Sequence, residues 1–273
     1  MDGKYRKEIK LGRHKISYFQ KGRGPVLILL HNAINSAYSF RHIFETLALT
    51  GRVIAPDLPG TGQSFKSLKF NYGLDSMADL LDEFMAELKI KQAVIAGSST
   101  GAAIAQKFAL NHPEKIIKLI LIDSYGLKLR KNQTVLDLGS GRAILNGLST
   151  PARVMEFYLG QFHCEDTVKM EDRMLFLDTT LKKSVPECIH QFLKENGNFE
   201  IEGISKIDKP TLIIWGERDK ILPKSMAEKF VKKIPNSRYV MIPEAGHLPH
   251  EESPEDFTTV VLDFLRDGIP YHK

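Results

Sequence analysis

Ser99 lies in Gly97-Ser98-Ser99-Thr100-Gly101, with a glycine two residues to either side of it. Ser98 lacks that setting, because Ala96 and Thr100 flank it at the same spacing. A serine placed on a tight strand-to-helix corner needs strained backbone, and small neighbours let the helix pass close to the strand. Its hydroxyl is a weak nucleophile unless a base takes its proton and an acid orients that base. Two later stretches offer those groups. Gly216-Glu217-Arg218-Asp219 ends in a carboxylate, and Glu244-Ala245-Gly246-His247 ends in an imidazole. Ser99 as nucleophile, His247 as base and Asp219 as orienting acid would perform acyl transfer through a covalent acyl-enzyme. Two competitors stand nearby: His250, which lacks a preceding glycine, and Asp123, which follows another strand-like run and reads more simply as a polar strand terminus. The oxyanion formed on attack needs backbone N–H donors. Thr100 supplies one at a helix start, and Ala33 is the best-placed residue for a second, with His31 and Asn32 as loop supports.

These residues need a frame. Ala93–Ala96 is a short apolar run suited to a buried strand, and strong helix formers follow from Ala102. Val26–Leu30, Arg52–Pro56, Ile116–Ile122, Thr211–Trp215 and Arg238–Ile242 are further strands. Between them fall helices at about Ser36–Leu49 (with Ser36 as N-cap), Asp75–Lys89 and Lys224–Lys233, and a last one opens at Ser253-Pro254-Glu255-Asp256 with Ser253 as N-cap. Glu8–Gln20 reads as two edge strands around Gly12, with Ile16, Tyr18 and Leu11 facing inward. Strand–helix alternation predicts an α/β fold with a parallel sheet, right-handed crossovers and helices on both faces. Catalytic groups in such sheets gather at the carboxyl ends of strands, where Ser99, Asp219 and His247 all fall.

The alternation breaks over residues 126–205, which hold helix-like segments at 141–148, 151–161, 168–182 and 185–195 and no buried strand. The chain therefore divides into a core, 1–125 and 206–273, and a helical cap, 126–205. As a lid over Ser99 the cap would carry selectivity through bulky positions such as Phe157, Phe162 and Phe176. The Asp57–Ser64 loop contains a G-x-G, but Phe65 takes the third glycine position and no phosphate-loop lysine follows, so it reads as a turn.

Composition narrows the function classes. The chain has 273 residues, 42% hydrophobic and 26% charged, with a net charge of +5. Residues 1–23 carry eight cations against two acids, which exceeds the whole surplus, and their alternation with apolar residues reads as a solvated sheet face. No nucleic-acid motif is present, and no apolar run approaches the ~20 residues of a membrane helix. The polar N-terminus sets a cytoplasmic default. Cys164 and Cys188 read as free thiols and form no C-x-x-C pattern, and no metal or organic cofactor is called for.

Gly97-x-Ser99-x-Gly101, the D-x-P-G-x-G-x-S loop from Asp57 to Ser64, Gly216-x-x-Asp219 and Gly246-His247 together resemble the α/β-hydrolase fold family, its serine carboxylesterase-like branch. The resemblance implies an eight-stranded, mostly parallel sheet with a helical cap after the sixth strand, and Ser99, Asp219 and His247 as the triad. Members commonly carry His-Gly where this chain has His31-Asn32, and asparagine tolerates the left-handed backbone that glycine would take there. The expected activity is cleavage of a small to medium carboxylic ester, the partner being that small molecule. Carbon–carbon bond hydrolases, aminopeptidases, perhydrolases and slow small-molecule receptors share the arrangement.

Overall fold

Parallel strands must be joined by crossovers, and most of those among the described residues carry a helix that packs on one face of the sheet. The computed structural model describes residues 1, 3–128, 150–196 and 200–267. Its strands are β1 Arg6–Leu11, β2 His14–Lys21, β3 Val26–Leu30, β4 Arg52–Pro56, β5 Ala93–Ser98, β6 Ile116–Ile122, β7 Thr211–Gly216 and β8 Ser237–Ile242. They form one eight-stranded sheet in the order β1-β2-β4-β3-β5-β6-β7-β8, parallel from β4 to β8, with β1 and β2 antiparallel at one side. The described helices are α1 Arg41–Leu47, α2 Leu74–Glu87, α3 Thr100–Asn111, α4 Pro151–Leu159, α5 Met170–Thr180, α6 Val185–Asn196, α7 Ser225–Lys233, α8 Pro249–Glu252 and α9 Pro254–Arg266.

Both faces are buried, which is why the central strands are apolar throughout instead of alternating. Ile28 and Leu30 of β3 and Ile95 of β5 pack with Leu81, Phe84 and Phe108 of α2 and α3. Leu27, Leu29, Val94 and Ala96 point the other way, onto Phe44, Phe257 and Val261 of α1 and α9.

Three expectations are corrected. Only β1 is an edge in the Glu8–Gln20 hairpin; β2 lies between β1 and β4, so Phe19 is as buried as Tyr18. Ser36 caps a 3₁₀ turn, Ala37–Phe40, by accepting from the Tyr38 N–H, and the α-helix begins only at Arg41. Ser253 precedes α9 but makes no side-chain cap bond. The interior order comes from packing, and the caps at these ends contribute less than the pattern implied.

Arg6 departs from the solvated-face reading of the N-terminal cations. Its guanidinium donates to the buried Asp57 carboxylate at 2.8 Å, while Asp57 also accepts from the Ala37 and Gln63 N–H groups at 2.9 Å each. One side chain thus ties β1, the 3₁₀ turn and the Asp57–Ser64 loop together. Ser64 adds to this by accepting from the Ser17 N–H and donating to the Asp57 carbonyl. Lys66 donates to the Gly62 and Ser64 carbonyls, which closes the turn.

Over 150–196 the described residues contain helices and no strand, while the segment expected at 141–148 lies outside the described residues. Tyr158 stacks on Phe176 at 4.0 Å and meets Phe162 edge-on at 5.2 Å. These helices are anchored by a buried ionic cluster: Arg41 of α1 lies 2.8 Å from Asp172 of α5 and 2.6 Å from Glu251 of α8, and the Tyr158 hydroxyl donates to Glu251 at 3.2 Å.

Removing a buried partner leaves the others desolvated and unpaired. Asp57→Ala strands Arg6 and two amides, an expected loss of about 3–5 kcal/mol. Thermal unfolding checks it at about 2–4 °C per kcal/mol for chains of this size class. Lys15→Ala, which breaks only the half-exposed pair with Glu8, is expected to move the midpoint far less. Equal shifts for the two variants would remove Asp57 from its organising role.

Candidate active site

β5 ends in Ser98, and the chain turns into α3 at Ser99 with φ 52° and ψ −110°, left-handed backbone that a non-glycine residue holds at a cost of about 1–3 kcal/mol. Neighbouring backbone enforces the corner. The Ser99 N–H donates to the Ile122 carbonyl at 2.8 Å, and the Ser99 carbonyl accepts from Ala102, Ala103 and Tyr125 N–H groups. The flanking glycines are required by close approach. A Cβ on Gly97 would stand 2.3 Å from the Gly101 carbonyl oxygen, and one on Gly101 would stand 2.3 Å from that of Leu30. Ser98 remains a strand residue with a buried hydroxyl that has no partner.

Asp219 follows β7 and His247 follows β8, each past the carboxyl end of its strand. The ring Nδ1 of His247 lies 2.9 Å from Asp219 Oδ2. A carboxylate only accepts, so Nδ1 carries the hydrogen and Nε2 is the acceptor of the neutral ring. Asp219 Oδ1 accepts from the Ile221 and Leu222 N–H groups at 2.7 and 3.0 Å, which fixes the carboxylate plane. The His247 loop is clamped against the helical segment. The His247 N–H donates to the Gln161 carbonyl at 2.7 Å, and a Cβ on Gly246 would meet that oxygen and the His163 nitrogen at 2.6 Å. Among the described residues no hydrogen bond joins Ser99 to His247; such contacts commonly tighten only when substrate binds.

The competitors separate cleanly. Nε2 of His250 lies 2.9 Å from the Ser39 hydroxyl, and its ring sits between Phe40 and Phe257. Burial and the nearby Arg41 push its pKa down to about 3, and its place is structural. Asp123 is fully buried rather than a solvated strand end, and its Oδ1 accepts the Gly216 N–H at 2.8 Å. It stands beside Asp219, but it is Asp219 that accepts the hydrogen bond from His247.

The loop after β3 is built differently from the expectation. Asn32 is not left-handed. It acts through its side chain, whose Oδ1 accepts from the Ile34 and Asn35 N–H groups and whose amide donates to Gln161 Oε1 at 3.1 Å. His31 Nδ1 donates to the Asn32 carbonyl at 2.6 Å and Nε2 accepts from the Leu58 N–H at 2.9 Å, with burial holding its pKa low. The Ala33 N–H already donates to Thr100 Oγ1 at 2.7 Å, so it can serve an oxyanion only when that hydroxyl gives way. Thr100 N–H opens α3, where the first amides have no intrahelical acceptor. Nothing in the sequence pattern pointed to the Thr100 hydroxyl or to Gln161, because both meet their partners only across the fold.

A small, mostly apolar recess opens beside Ala33, lined by Leu58, Pro59, Met77, Ile189 and Phe192 among others. The cap positions picked from sequence fare differently: Phe162 and Phe176 are buried in the packing of the helical segment around Tyr158, and α6 supplies the residues that face Ala33. Oxygen and nitrogen atoms of Asp123, Asp219 and His247 lie within 4.8 Å of one another, the spacing of a metal-ligand set. Yet His247 Nδ1 and Asp219 are already bonded to each other, which leaves this donor set poorly disposed to take an ion.

Residues 25–254 match the family model for the alpha/beta hydrolase fold. The chain is 30% identical over 258 residues to the uncharacterized hydrolase YugF of Bacillus subtilis (strain 168), covering 91% of this chain and 93% of that protein. It is 29% identical over 269 residues to the 2-hydroxy-6-oxo-6-(2'-aminophenyl)hexa-2,4-dienoic acid hydrolase of Metapseudomonas resinovorans, covering 94% and 89%. Among solved structures, a thermophilic esterase from Thermogutta terrifontis superposes with a TM-score of 0.80 at 25% identity, covering 96% of this chain and 98% of that one. A strained serine corner at the end of the fifth strand of such a sheet, matched by sequence over most of its length, places this chain in the α/β hydrolase fold family, as a hydrolase of that fold.

Proposed function

We propose that this protein is a serine hydrolase that cleaves a small to medium carboxylic ester through an acyl-enzyme. The observation that carries the reading is the Ser99 corner, with φ 52°, on the same sheet edge as the 2.9 Å His247–Asp219 bond. Ser99 Oγ attacks the ester carbonyl and His247 Nε2 takes its proton, forming a tetrahedral oxyanion that the Thr100 and Ala33 amides receive. The imidazolium, held by Asp219, returns the proton to the departing alcohol. Water then repeats the sequence on the acyl-enzyme and frees the acid and Ser99.

Support for an apolar acyl group comes from the space beside Ala33, where Ile189 and Phe192 of α6 face Leu58 and Met77 of the core. The helices over 150–196 then act as a cap over the site, with α6 as the selective wall. A second reading, carbon–carbon bond hydrolysis, is favoured by the similarity to the dienoic acid hydrolase. A dienoate carboxylate would call for a cation, and no Lys or Arg lines that space among the described residues. The ester reading is therefore preferred. Turnover of a 2-hydroxy-6-oxo-dienoate well above that of activated esters would reverse the preference.

A fluorophosphonate is expected to label Ser99 alone, and Ser99→Ala to abolish labelling and turnover, a loss on the order of 10⁶ as in other triads. Label that persists on Ser98 in that variant would refute the assignment of the corner.

Asp219→Asn is expected to keep the fold and lower kcat by about 10⁴, because the amide favours the wrong imidazole tautomer. A kcat of Asp219→Asn close to that of the native protein would remove Asp219 as the orienting acid.

Phe192→Ala enlarges the acyl wall. It is expected to shift kcat/KM toward longer acyl chains by about 10-fold or more per step of chain length, on the scale of a methylene in an apolar pocket. Phe162→Ala should destabilise the helical segment without that reordering. An unchanged chain-length series in Phe192→Ala would place the acyl group elsewhere.

A further inference from the structure

Asp123 is wholly buried, at the carboxyl end of β6, in left-handed backbone with φ 42°. Two observations set its chemistry. Its Oδ1 accepts a single bond, from the Gly216 N–H, and its Oδ2 is buried with no partner. Its carboxyl group stands within 4.8 Å of those of Asp219 and of a His247 ring nitrogen. Two carboxylates that only accept cannot face each other in a dry site; one proton must lie between them.

The donor count decides which residue holds it. Asp219 accepts from Ile221, Leu222 and His247, so its negative charge is well supported. Asp123 has one donor and full burial. The titratable groups that face Asp123 are Asp219 from the loop after β7, His247 from the loop after β8 and Tyr239 of β8. None of them brings a fixed positive charge, and the Tyr239 hydroxyl makes no hydrogen bond that would supply a donor.

We propose that Asp123 is a positioning residue: a neutral carboxylic acid whose hydroxyl donates to the Asp219 carboxylate and holds it against His247. This rests on the triad reading above, but its protonation state can be measured without turnover. Burial and the neighbouring Asp219 both raise the pKa of Asp123 well above the usual carboxylate range, as this arrangement requires.

The linkage has a definite sign. The folded protein keeps the proton on Asp123 and the unfolded chain releases it near pH 4, so the stability that this residue contributes is full below that pH and declines above it, until the raised folded value is passed. Asp123→Asn has no such proton to lose. Relative to that variant, the folded-to-unfolded ratio of the native protein is expected to fall about tenfold per pH unit across this window. Chemical denaturation from pH 4 to 9 reads the difference, native minus variant, which should fall steadily with pH. A constant difference would show Asp123 ionised in the folded state and overturn the proposal. Should Asp123→Asn fail to fold, the native protein with isotope-labelled aspartate still decides: a protonated-carboxyl stretch in its infrared spectrum at neutral pH, lost on unfolding, is expected, and its absence overturns the proposal.

Activity reads the positioning role. Asp123→Ala should lower kcat about tenfold or more with KM little changed. Asp123→Asn, whose amide donates to Asp219 while its oxygen accepts from Gly216, should recover most of that loss. Equal losses in the two variants would overturn the donor role. A native protein without turnover on any ester would instead overturn the hydrolase reading, leaving the infrared and linkage results to stand by themselves.

Discussion

Turning from strand to helix at Ser99 requires α3 to pass within carbonyl distance of β3 and of its own strand. Gly97 and Gly101 meet that constraint, since any Cβ there would sit 2.3 Å from a backbone oxygen. Much of the site follows from this close approach. It leaves the Thr100 amide exposed at a helix start, brings the Thr100 hydroxyl onto the Ala33 N–H, and sets the Ser99 carbonyl to receive Tyr125 from the end of β6. The strain in Ser99 persists because bonds on both sides of the residue over-determine it.

Around that corner the buried charges are arranged in pairs, each with its own function in the fold. Asp57 and Arg6 hold the loop that contains Leu58, whose N–H donates to His31, and so support the Ala33 turn from behind. Arg41, Asp172 and Glu251 join the helical segment to α1 and to α8, the short helix that follows His247. Glu252 of that short helix accepts from the Gly246, His163 and Cys164 N–H groups, so the His247 loop and the helical segment share one carboxylate. A displacement of those helices would therefore be felt at His247 through backbone bonds and not only through the space beside Ala33.

Polar side chains are concentrated at the carboxyl edge of the sheet, and the space beside Ala33 is lined mostly by apolar ones. That space has walls from both the core and α6, so neither part alone defines it. Fold similarity to enzymes of differing substrates is expected, because the strand-end constellation is common property while the wall over 185–196 belongs to this chain.

Much of this was legible in the sequence because it is local. Largely apolar runs of four to seven residues gave the six central strands within a residue or two, and the G-x-S-x-G spacing separated Ser99 from Ser98. The order Ser99, Asp219, His247, each just past its own strand, made these three the candidates, since a parallel sheet puts all such loops on one edge. Contacts between segments far apart in the chain were decided only by tertiary structure. Arg6 looked like one of eight solvated cations until burial of Asp57 gave it a partner 51 positions away. Asn32 looked like a stand-in for glycine, but its negative φ and its bond to Gln161 give it a side-chain role. Ile189 and Phe192, not Phe162 or Phe176, line the space beside Ala33, because which face of an amphipathic helix meets the core depends on how that helix docks. Asp123 read as a strand terminus, and only the packing of β6 against β7 brought it, buried and with a single donor, to the carboxylate of Asp219.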